Sequence, residues 1–256
     1  MPSQSKDVIG FPVTAIPFDG QIALMTQWAK ERRSKAVCVA NVHMLIEAHQ
    51  HPDFATVLRA ADLVTPDGMP LVWMLKMLGA TNQDRVAGLD ILEGLCTAAS
   101  NSGVSVFFLG SQKVILDQMR ARLEQEFPEL AIAGMEPLPF RPLTLEEDNE
   151  LIQHVNASGA GIVFIALGCP KQEVWIAQHK GKINAVMVGL GGAFPVYAGV
   201  HKRAPSLVRS MGFEWLYRLI QEPRRLWGRY KGTIPIFIWL ACKQLMTVNR
   251  QASTQS

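Results

Sequence analysis

The chain has 256 residues, of which 48% are hydrophobic and 18% charged, and its formal net charge is +3. This composition provides for a large core and excludes a disordered or strongly charged chain. Four widely spaced cysteines form no Cys-x-x-Cys pair, which indicates free thiols in a reducing compartment. No apolar run approaches the roughly 20 residues that span a bilayer. We therefore expect a cytoplasmic protein that touches a membrane without crossing it; the family resemblance given below implies a peripheral position on the inner face of the plasma membrane.

Short apolar runs alternate with helical patterns along most of the chain. The predicted strands cover residues 36–40, 63–65, 104–109, 130–133, 161–167 and 185–188. The predicted helices cover a stretch through residue 48, then 53–61, 69–78, 89–100, 114–127, 145–156 and 171–179. Continuous apolar strands separated by helices predict an α/β fold with a Rossmann-like, mostly parallel sheet and helices on both faces. Such a sheet binds its ligands beyond the carboxyl ends of the strands.

The texture of the sequence changes near residue 200, where the strands stop and the helical patterns continue. We predict a Rossmann-like core at residues 1–200 and a basic, aromatic-rich helical appendage at residues 201–256. The appendage has ten Lys and Arg residues up to residue 250, against the two acids Glu214 and Glu222. An apolar run at residues 234–240 favours a membrane surface over nucleic acid as its partner. The alternative is a solvated basic face over an aromatic core.

Asp67 is the first candidate for chemistry, because it follows a short strand and a proline and precedes Gly68 and a helix. At the carboxyl edge of the sheet its carboxylate is placed to accept a proton from an attacking hydroxyl. The alternative is an N-cap of the following helix, a position where Asp is common. Local sequence favours the cap.

Asn41 and Arg85 follow as candidates. Asn41 comes directly after the first predicted strand, where its amide can orient a ligand or cap the next helix. His43 is either a base or a residue of the first helical turn, and the second reading is favoured. Arg85 lies in a loop before a helix, and its guanidinium suits phosphate oxygens. A surface ion pair of Arg85 with Asp84 or Asp90 is the alternative.

Glycine-containing turns follow three more strands. Gly110 and Ser111 end one strand, and a second turn joins a strand to a helix with Gly168, Cys169, Pro170, Lys171, Gln172 and Glu173. Backbone N–H groups and the dipole of that helix favour an anion, although an ordinary turn explains the pattern as well. Gly191 and Gly192 offer another close backbone approach, without the spacing of a dinucleotide fingerprint.

Several common motifs are absent from the sequence. There is no Asp-x-Asp pair of the kind that holds a divalent ion in many sugar transferases, and no cluster with metal-ligand spacing. The phosphate-binding loop of nucleotidases and the Gly-x-Ser-x-Gly elbow of hydrolases are missing too. We expect no metal and no cofactor.

An ordered set of short motifs runs along the chain, each weak alone but specific together. The set consists of Asn41-Val42-His43, Thr65-Pro66-Asp67-Gly68-Met69, Arg85-Val86-Ala87-Gly88, Gly168-Cys169-Pro170-Lys171-Gln172-Glu173, Gly189-Leu190-Gly191-Gly192, Arg203-Ala204-Pro205, Gly212-Phe213-Glu214-Trp215-Leu216-Tyr217-Arg218 and Glu222-Pro223-Arg224-Arg225. With it, the chain from about residue 10 to residue 245 resembles the WecG/TagA/CpsF glycosyltransferases of bacterial surface polysaccharide and wall teichoic acid synthesis.

This resemblance implies an inverting, metal-independent transferase. It implies a UDP-sugar donor of the N-acetylmannosamine type, or its uronic acid, and an acceptor sugar on a polyprenyl diphosphate. It places the catalytic aspartate on Asp67 and further active-site residues on Asn41, Arg85 and Gln172. The appendage is expected to close over the site and meet the membrane. The residues matched for contact with the donor diphosphate are Arg218, Arg224 and Arg225.

Two other classes of function compete with a transferase. A nucleotide-sugar epimerase or dehydrogenase needs a dinucleotide fingerprint near the first strand, and the sequence has none. The runner-up is a non-catalytic, membrane-surface accessory subunit of a partner transferase. A homo-oligomer is compatible with either reading.

Overall fold

The computed structural model describes residues 4–139 and 141–254. The chain opens with a hairpin of two antiparallel strands, β1 (Ser5–Val8) and β2 (Phe11–Thr14), which is separate from the main sheet. The hairpin lies beside the main sheet, where the hydroxyl of Thr14 accepts a hydrogen bond from the backbone N–H of Val64. Neither strand was predicted from the sequence, because β1 is largely polar and the two strands pair only with each other.

The main sheet has six strands in the order β4-β3-β8-β7-β5-β6, and all neighbouring strands are parallel. The strands are β3 (Lys35–Ala40), β4 (Leu63–Pro66), β5 (Val106–Gly110), β6 (Ile132–Glu136), β7 (Ile162–Ala166) and β8 (Val186–Gly189). They are short and mostly apolar, as strands buried on both faces must be. The predicted α/β fold with a parallel sheet is confirmed, although β5 and β6 each begin two residues later than predicted.

Helices connect the strands and cover both faces of the sheet. They are α1 (Phe18–Lys30), α2 (Val42–Gln50), α3 (Pro52–Arg59), α4 (Met69–Met77), α5 (Gly88–Ser102), α6 (Lys113–Glu126), α7 (Leu145–Ala157), α8 (Lys171–His179) and α9 (Phe194–Tyr197). Successive side chains of a strand alternate between the faces. Val37 and Val39 therefore pack with α1, α5, α6 and α9, whereas Cys38 and Ala40 pack with α2, α3 and α4.

Three further helices follow residue 205, namely α10 (Ser206–Ser210), α11 (Glu214–Gln221) and α12 (Pro223–Thr254). The predicted change from strands to helices is confirmed. Helix α12 contains Pro235 and runs back onto the core, where Phe237 and Ala241 are buried in the cluster that holds Met44. Over residues 4–139 and 141–254, no helix is both long enough and apolar enough to cross a bilayer.

Candidate active site

The carboxyl ends of the parallel strands meet at one edge of the sheet, and the first two bring Asn41 and Asp67 together. The backbone N–H of Asp67 donates to the carbonyl of Ala40 across 2.9 Å. A Cβ atom placed on Gly68 lies 3.6 Å from the Cβ of Asn41. Because Gly68 has no side chain, the turns after β3 and β4 lie in contact. The amide of Asn41 and the carboxylate of Asp67 are therefore neighbours at the carboxyl edge of the sheet.

Asn41 occupies the N-cap of α2, where its side-chain oxygen accepts a hydrogen bond from the N–H of Met44 at 3.2 Å. Of the two readings left open for Asn41, the structure shows the helix cap, while its role in the active site stays a prediction. Its side chain is partly exposed at the edge of the sheet. His43 lies in the first turn of α2, where burial lowers its pKa and nearby Arg229 acts in the same direction.

The prediction that Asp67 caps the helix after it is wrong. Gly68 is the N-cap of α4 and no side chain caps that helix. The N–H of Gly88, the first residue of α5, instead faces the carboxylate of Asp67 and acts to lower its pKa. The backbone bond from Val86 to the carbonyl of Pro66, 3.0 Å long, brings the start of α5 beside this turn. Asp67 thus faces the positive end of a helix that is distant in sequence.

The proton affinity of Asp67 reflects burial and two guanidinium groups. Its side chain is partly exposed, yet burial raises the pKa above the ordinary value of an aspartate. Arg218 and Arg85 act against this shift, as does the N–H of Gly88, while the acid Glu214 adds to it. Because burial prevails, Asp67 is a stronger base than an exposed aspartate and is still surrounded by positive charge.

Arg85 is held by acids on both sides. Its Nη1 lies 2.8 Å from Oε2 of Glu214, and its Nη2 lies 3.9 Å from the carboxylate of Asp90. Against the opposing effect of burial, Glu214 and Asp67 raise the pKa of Arg85. The predicted pair with Asp90 is therefore present, but the close partner of Arg85 is Glu214 in the appendage.

Glu214 also contacts Arg218, one turn further along α11. Oε1 of Glu214 lies 3.2 Å from Nε and 3.1 Å from Nη2 of Arg218. Against the opposing effect of burial, Arg218 and Arg85 lower the pKa of Glu214. Its carboxylate bridges a guanidinium of the core and one of the appendage, and both guanidiniums act on Asp67. Arg218 also lies near Gly192, since a Cβ atom there stands 3.5 Å from its Nη1.

The side chain of Gln172 links the turn at Gly168 to the turn at Gly191 through hydrogen bonds. Its Oε1 accepts hydrogen bonds from the N–H of Gly168 at 3.2 Å and the N–H of Gly191 at 3.1 Å. A Cβ atom on Gly191 falls only 2.7 Å from that oxygen, so this turn has room for glycine alone. Nε2 of Gln172 donates to Glu173 at 2.7 Å. The buried amide of Gln172 therefore fixes the spacing of the two turns.

The other residues of this turn lie at different depths. Glu173 is fully buried, and burial raises its pKa. Lys171 is exposed at the start of α8, and Pro170 precedes it after a cis peptide bond. Of these residues, Pro170 and Lys171 lie at the surface, while Glu173 lies below it.

Gly110 and Ser111 continue the edge on the other side of Gly168. Both have left-handed backbone conformations, with φ of 90° and 68°. A Cβ atom on Gly110 lies 2.7 Å from the carbonyl oxygen of Ala166, which accepts from the N–H of Ser111 at 3.0 Å. Gly110 therefore has to be glycine, and its turn is packed against the end of β7.

The last two predicted residues belong to helix α12. Arg224 is exposed and lines an open apolar groove with Leu219, Ile220 and Trp227. The side chain of Arg225 lies outside the part that the structure describes. In that part, no group of three or more His, Cys, Asp or Glu side chains is arranged to hold a metal ion.

Sequence comparison places the chain in an enzyme family. The model of the glycosyl transferase WecG/TagA/CpsF family matches residues 6–251, so the chain belongs to that family and is a glycosyltransferase. The chain is similar to the N-acetylglucosaminyldiphosphoundecaprenol N-acetyl-beta-D-mannosaminyltransferase of Bacillus spizizenii. The two are 34% identical over 221 residues, which cover 86% of this chain and 83% of the relative. The resemblance seen in the motifs is confirmed.

Sequence reasoning gave no role to Glu214 or to the N–H of Gly88. Both lie in segments far from Asp67 in the chain, so local patterns do not connect them. A signal for Glu214 was present, because it is one of two acids among ten basic residues between positions 201 and 250. An isolated acid among arginines that is nevertheless partly buried is a candidate for an ion bridge.

Proposed function

We propose that this glycosyltransferase moves an N-acetylmannosamine-type sugar, or a related hexose or uronic acid, from a UDP-sugar to an acceptor sugar on a polyprenyl diphosphate. The reaction inverts the anomeric configuration and uses no metal ion. The name of the Bacillus relative supports both the sugar and the type of acceptor. The exposed tryptophans and basic residues of the appendage support a position on the inner membrane surface.

The observation that carries the mechanism is the environment of Asp67, a carboxylate with a raised pKa beside two guanidiniums. In the proposed step, the acceptor hydroxyl gives its proton to Asp67 as its oxygen bonds to the anomeric carbon. The bond from that carbon to the diphosphate oxygen breaks on the opposite face, and UDP departs with the electron pair. One displacement of this kind inverts the configuration.

The departing diphosphate needs positive charge, which Arg85 and Arg218 supply in the proposal. Guanidinium groups pair with phosphate oxygens in a bidentate manner, and fixed charges stabilise a leaving group without reorganisation. The glycine turns at Gly168 and Gly191, whose N–H groups are bound by Gln172, let the diphosphate approach the backbone closely, and the N–H of Gly192 adds a further donor. Arg224 and Arg225 are proposed to reach the diphosphate from the appendage when the donor is bound.

The remaining predicted residues serve as ligands or supports in the proposal. Asn41 and Gly68 line the acceptor side next to Asp67, while Gly110, Ser111, Pro170 and Lys171 line the donor side. Gln172 and Glu173 hold the turns beneath the donor. This division follows the order of the strands, since β3 and β4 lie at one side of the sheet and β5 and β7 at the other.

The test is UDP release by the purified protein, given UDP-N-acetylmannosamine and a lipid-diphosphate N-acetylglucosamine acceptor, with EDTA throughout. Asp67→Asn keeps the shape of the side chain but accepts no proton. Turnover should fall about a thousandfold, within the range that a general base contributes, while UDP affinity stays close to wild type. Near-normal turnover in Asp67→Asn would contradict the role of Asp67. A requirement for added Mn²⁺ would contradict the metal-free reaction.

A further inference from the structure

Helix α4, which begins directly after Asp67 and Gly68, has apolar side chains on two faces. One face is buried in the core and consists of Leu71, Val72, Met74 and Leu75. On the outer face, Trp73 and Met77 are one helical turn apart and are 49% and 56% exposed. A surface helix ordinarily presents polar side chains to solvent. Folding alone therefore does not explain the outer face of α4.

The turn between α10 and α11 extends this outer apolar face. A Cβ atom on Gly212 lies 3.1 Å from Cγ of Met69 and 3.4 Å from Cζ2 of Trp73, so the turn is packed on the first half of α4. Its flanking residues Met211 and Phe213 are 50% and 47% exposed. Trp73, Met77, Met211 and Phe213 together form the α4 patch. An exposed apolar patch of this kind beside a site indicates a binding surface.

The α4 patch lies at a defined distance from Asp67. A helix rises 1.5 Å per residue, so Trp73 and Met77 stand about 6 Å and about 12 Å along the axis from the first residue of α4. A hexose and a diphosphate together are about as long as two turns of helix. An acceptor whose sugar hydroxyl meets Asp67 therefore has the length to bring the start of its lipid chain to the α4 patch.

We propose that the α4 patch binds the first isoprene units of the polyprenyl-diphosphate acceptor, an inference that rests on the proposed function. Lys76, exposed and three residues after Trp73, places a cation at the border of the patch, as suits an anion with an apolar tail. Four side chains are far smaller than the roughly 1,600 Å² of a standard protein interface, which disfavours a second copy of the chain. The patch thus gives the enzyme its preference for a lipid-linked sugar over a soluble one.

The experiment compares two acceptors with the same N-acetylglucosamine diphosphate, one on undecaprenol and one on a short, water-soluble alkyl chain. Steady-state kinetics with UDP-N-acetylmannosamine give the ratio of the KM for the short acceptor to the KM for the long one. In the variant Trp73→Ser with Met77→Ser, this ratio should fall roughly tenfold. Because the readout is a ratio, a general loss of activity cancels.

Two further variants control the comparison. Val114→Ser with Leu145→Ser removes two apolar side chains that are 58% and 84% exposed elsewhere, and it should keep the wild-type ratio. Met77→Ser alone leaves the contact between Trp73 and Gly212 in place and should lower the ratio by a smaller factor. A fall in both α4 variants, and not in the control, supports the lipid site.

Three outcomes would overturn the inference. An unchanged ratio in the α4 double variant would exclude contact with the lipid chain. Loss of binding to vesicles free of acceptor, with the ratio unchanged, would assign the patch to the bilayer surface. A smaller mass than wild type in sedimentation, again with the ratio unchanged, would assign it to a second copy of the chain. If the wild type uses neither acceptor, the proposed function itself fails.

Discussion

At the scale of single residues, Asp67 differs from an ordinary turn aspartate through its neighbours. Burial strengthens its affinity for a proton, and two guanidiniums together with a helix start keep its ionised form accessible. Glu214 adjusts this balance, because it adds negative charge and also neutralises the two arginines. The proton affinity of Asp67, the base of the proposed mechanism, therefore depends on an acid that belongs to the appendage.

Glu214→Gln removes a charge that raises the pKa of Asp67 and frees Arg85 and Arg218, whose charges lower it. Both effects have the same sign, so the pKa of Asp67 falls. The acid limb of the kcat/KM profile, where the base becomes protonated, should move to lower pH. Turnover at the optimum should fall roughly tenfold, or about 1.4 kcal/mol of activation free energy, because Arg85 loses its close partner.

Glu222→Gln is the matched control, because Glu222 lies just after α11 and pairs with His201 at 3.3 Å. The acid limb of the kcat/KM profile of Glu222→Gln should coincide with that of the wild type. If both variants gave the wild-type profile, Glu214 would have no electrostatic effect on the base.

Sequence alone supplied part of the site at this scale. The rule that parallel strands present ligands at their carboxyl ends brought Asn41, Asp67 and Gly168 to one edge. It did not supply the partner of each side chain, since Glu214 and Gly88 reach Asp67 only through tertiary packing. Local propensity made Asp67 the N-cap of α4, whereas tertiary packing places its carboxylate beside the start of α5.

At the scale of elements, the start of α8 supports the glycine turns. Gln172 of α8 is 5% exposed, and its side-chain oxygen accepts from the turns after β7 and β8. A helix that fixes two loops through one amide transmits any shift of the helix to both loops. Gln172 therefore sets the shape of the edge even without contact with a substrate.

Gln172→Met fills similar space but accepts no hydrogen bond, so it leaves the N–H groups of Gly168 and Gly191 without their partner. Both hydrogen bonds are only part-buried, and a lost hydrogen bond of this kind costs about 1 kcal/mol, so the free energy of unfolding should fall by about 2 kcal/mol. Urea denaturation measures the loss, and hydrogen exchange at both glycines should become faster. Gln178→Met, exposed on the same helix, should stay within about 0.5 kcal/mol of the wild type. Equal losses in the two variants would contradict the supporting role.

The predictability of the elements follows their length and apolar pattern. The strands of the main sheet were predicted, because β-branched and apolar runs such as residues 162–166 have no competing helical pattern. The hairpin was not, since β1 is largely polar and becomes a strand only by pairing with β2. The packing of the Gly212 turn on α4 was not predicted either, because the two segments are distant in sequence.

At the scale of the whole molecule, the appendage is attached to the core at two ends. Near residue 203, Arg203 pairs with Asp90 and with Glu93 at the start of α5. At the far end, Gln244 bonds to the hairpin, and its neighbours in α12 share the core. The boundary near residue 200 stays a prediction, with the second half of α12 packed as part of the core.

Gln244→Leu removes the bonds from the N–H of Ile9, 2.8 Å long, and to the carbonyl of Asp7, 2.7 Å long. Both bonds are near the surface, so the free energy of unfolding should fall by about 1.5 kcal/mol. Hydrogen exchange at Ile9 should become faster. Met246→Leu, at a position of α12 that is 58% exposed, is the control and should change neither quantity. Unchanged exchange at Ile9 in Gln244→Leu would show that the hairpin holds without α12.

The bonds of Gln244 join residues that are 235 and 237 positions apart. On the ribosome the hairpin is therefore made long before its partner helix. Val8 and Phe11, which are buried in the folded protein beside Phe237, therefore lack that cover until α12 has been made. Contacts of such long range form late and slowly. A nascent chain released before α12 is complete would contain the whole six-stranded sheet, but the apolar residues of its hairpin would be exposed. Such a chain would bind chaperones and would not be an active enzyme.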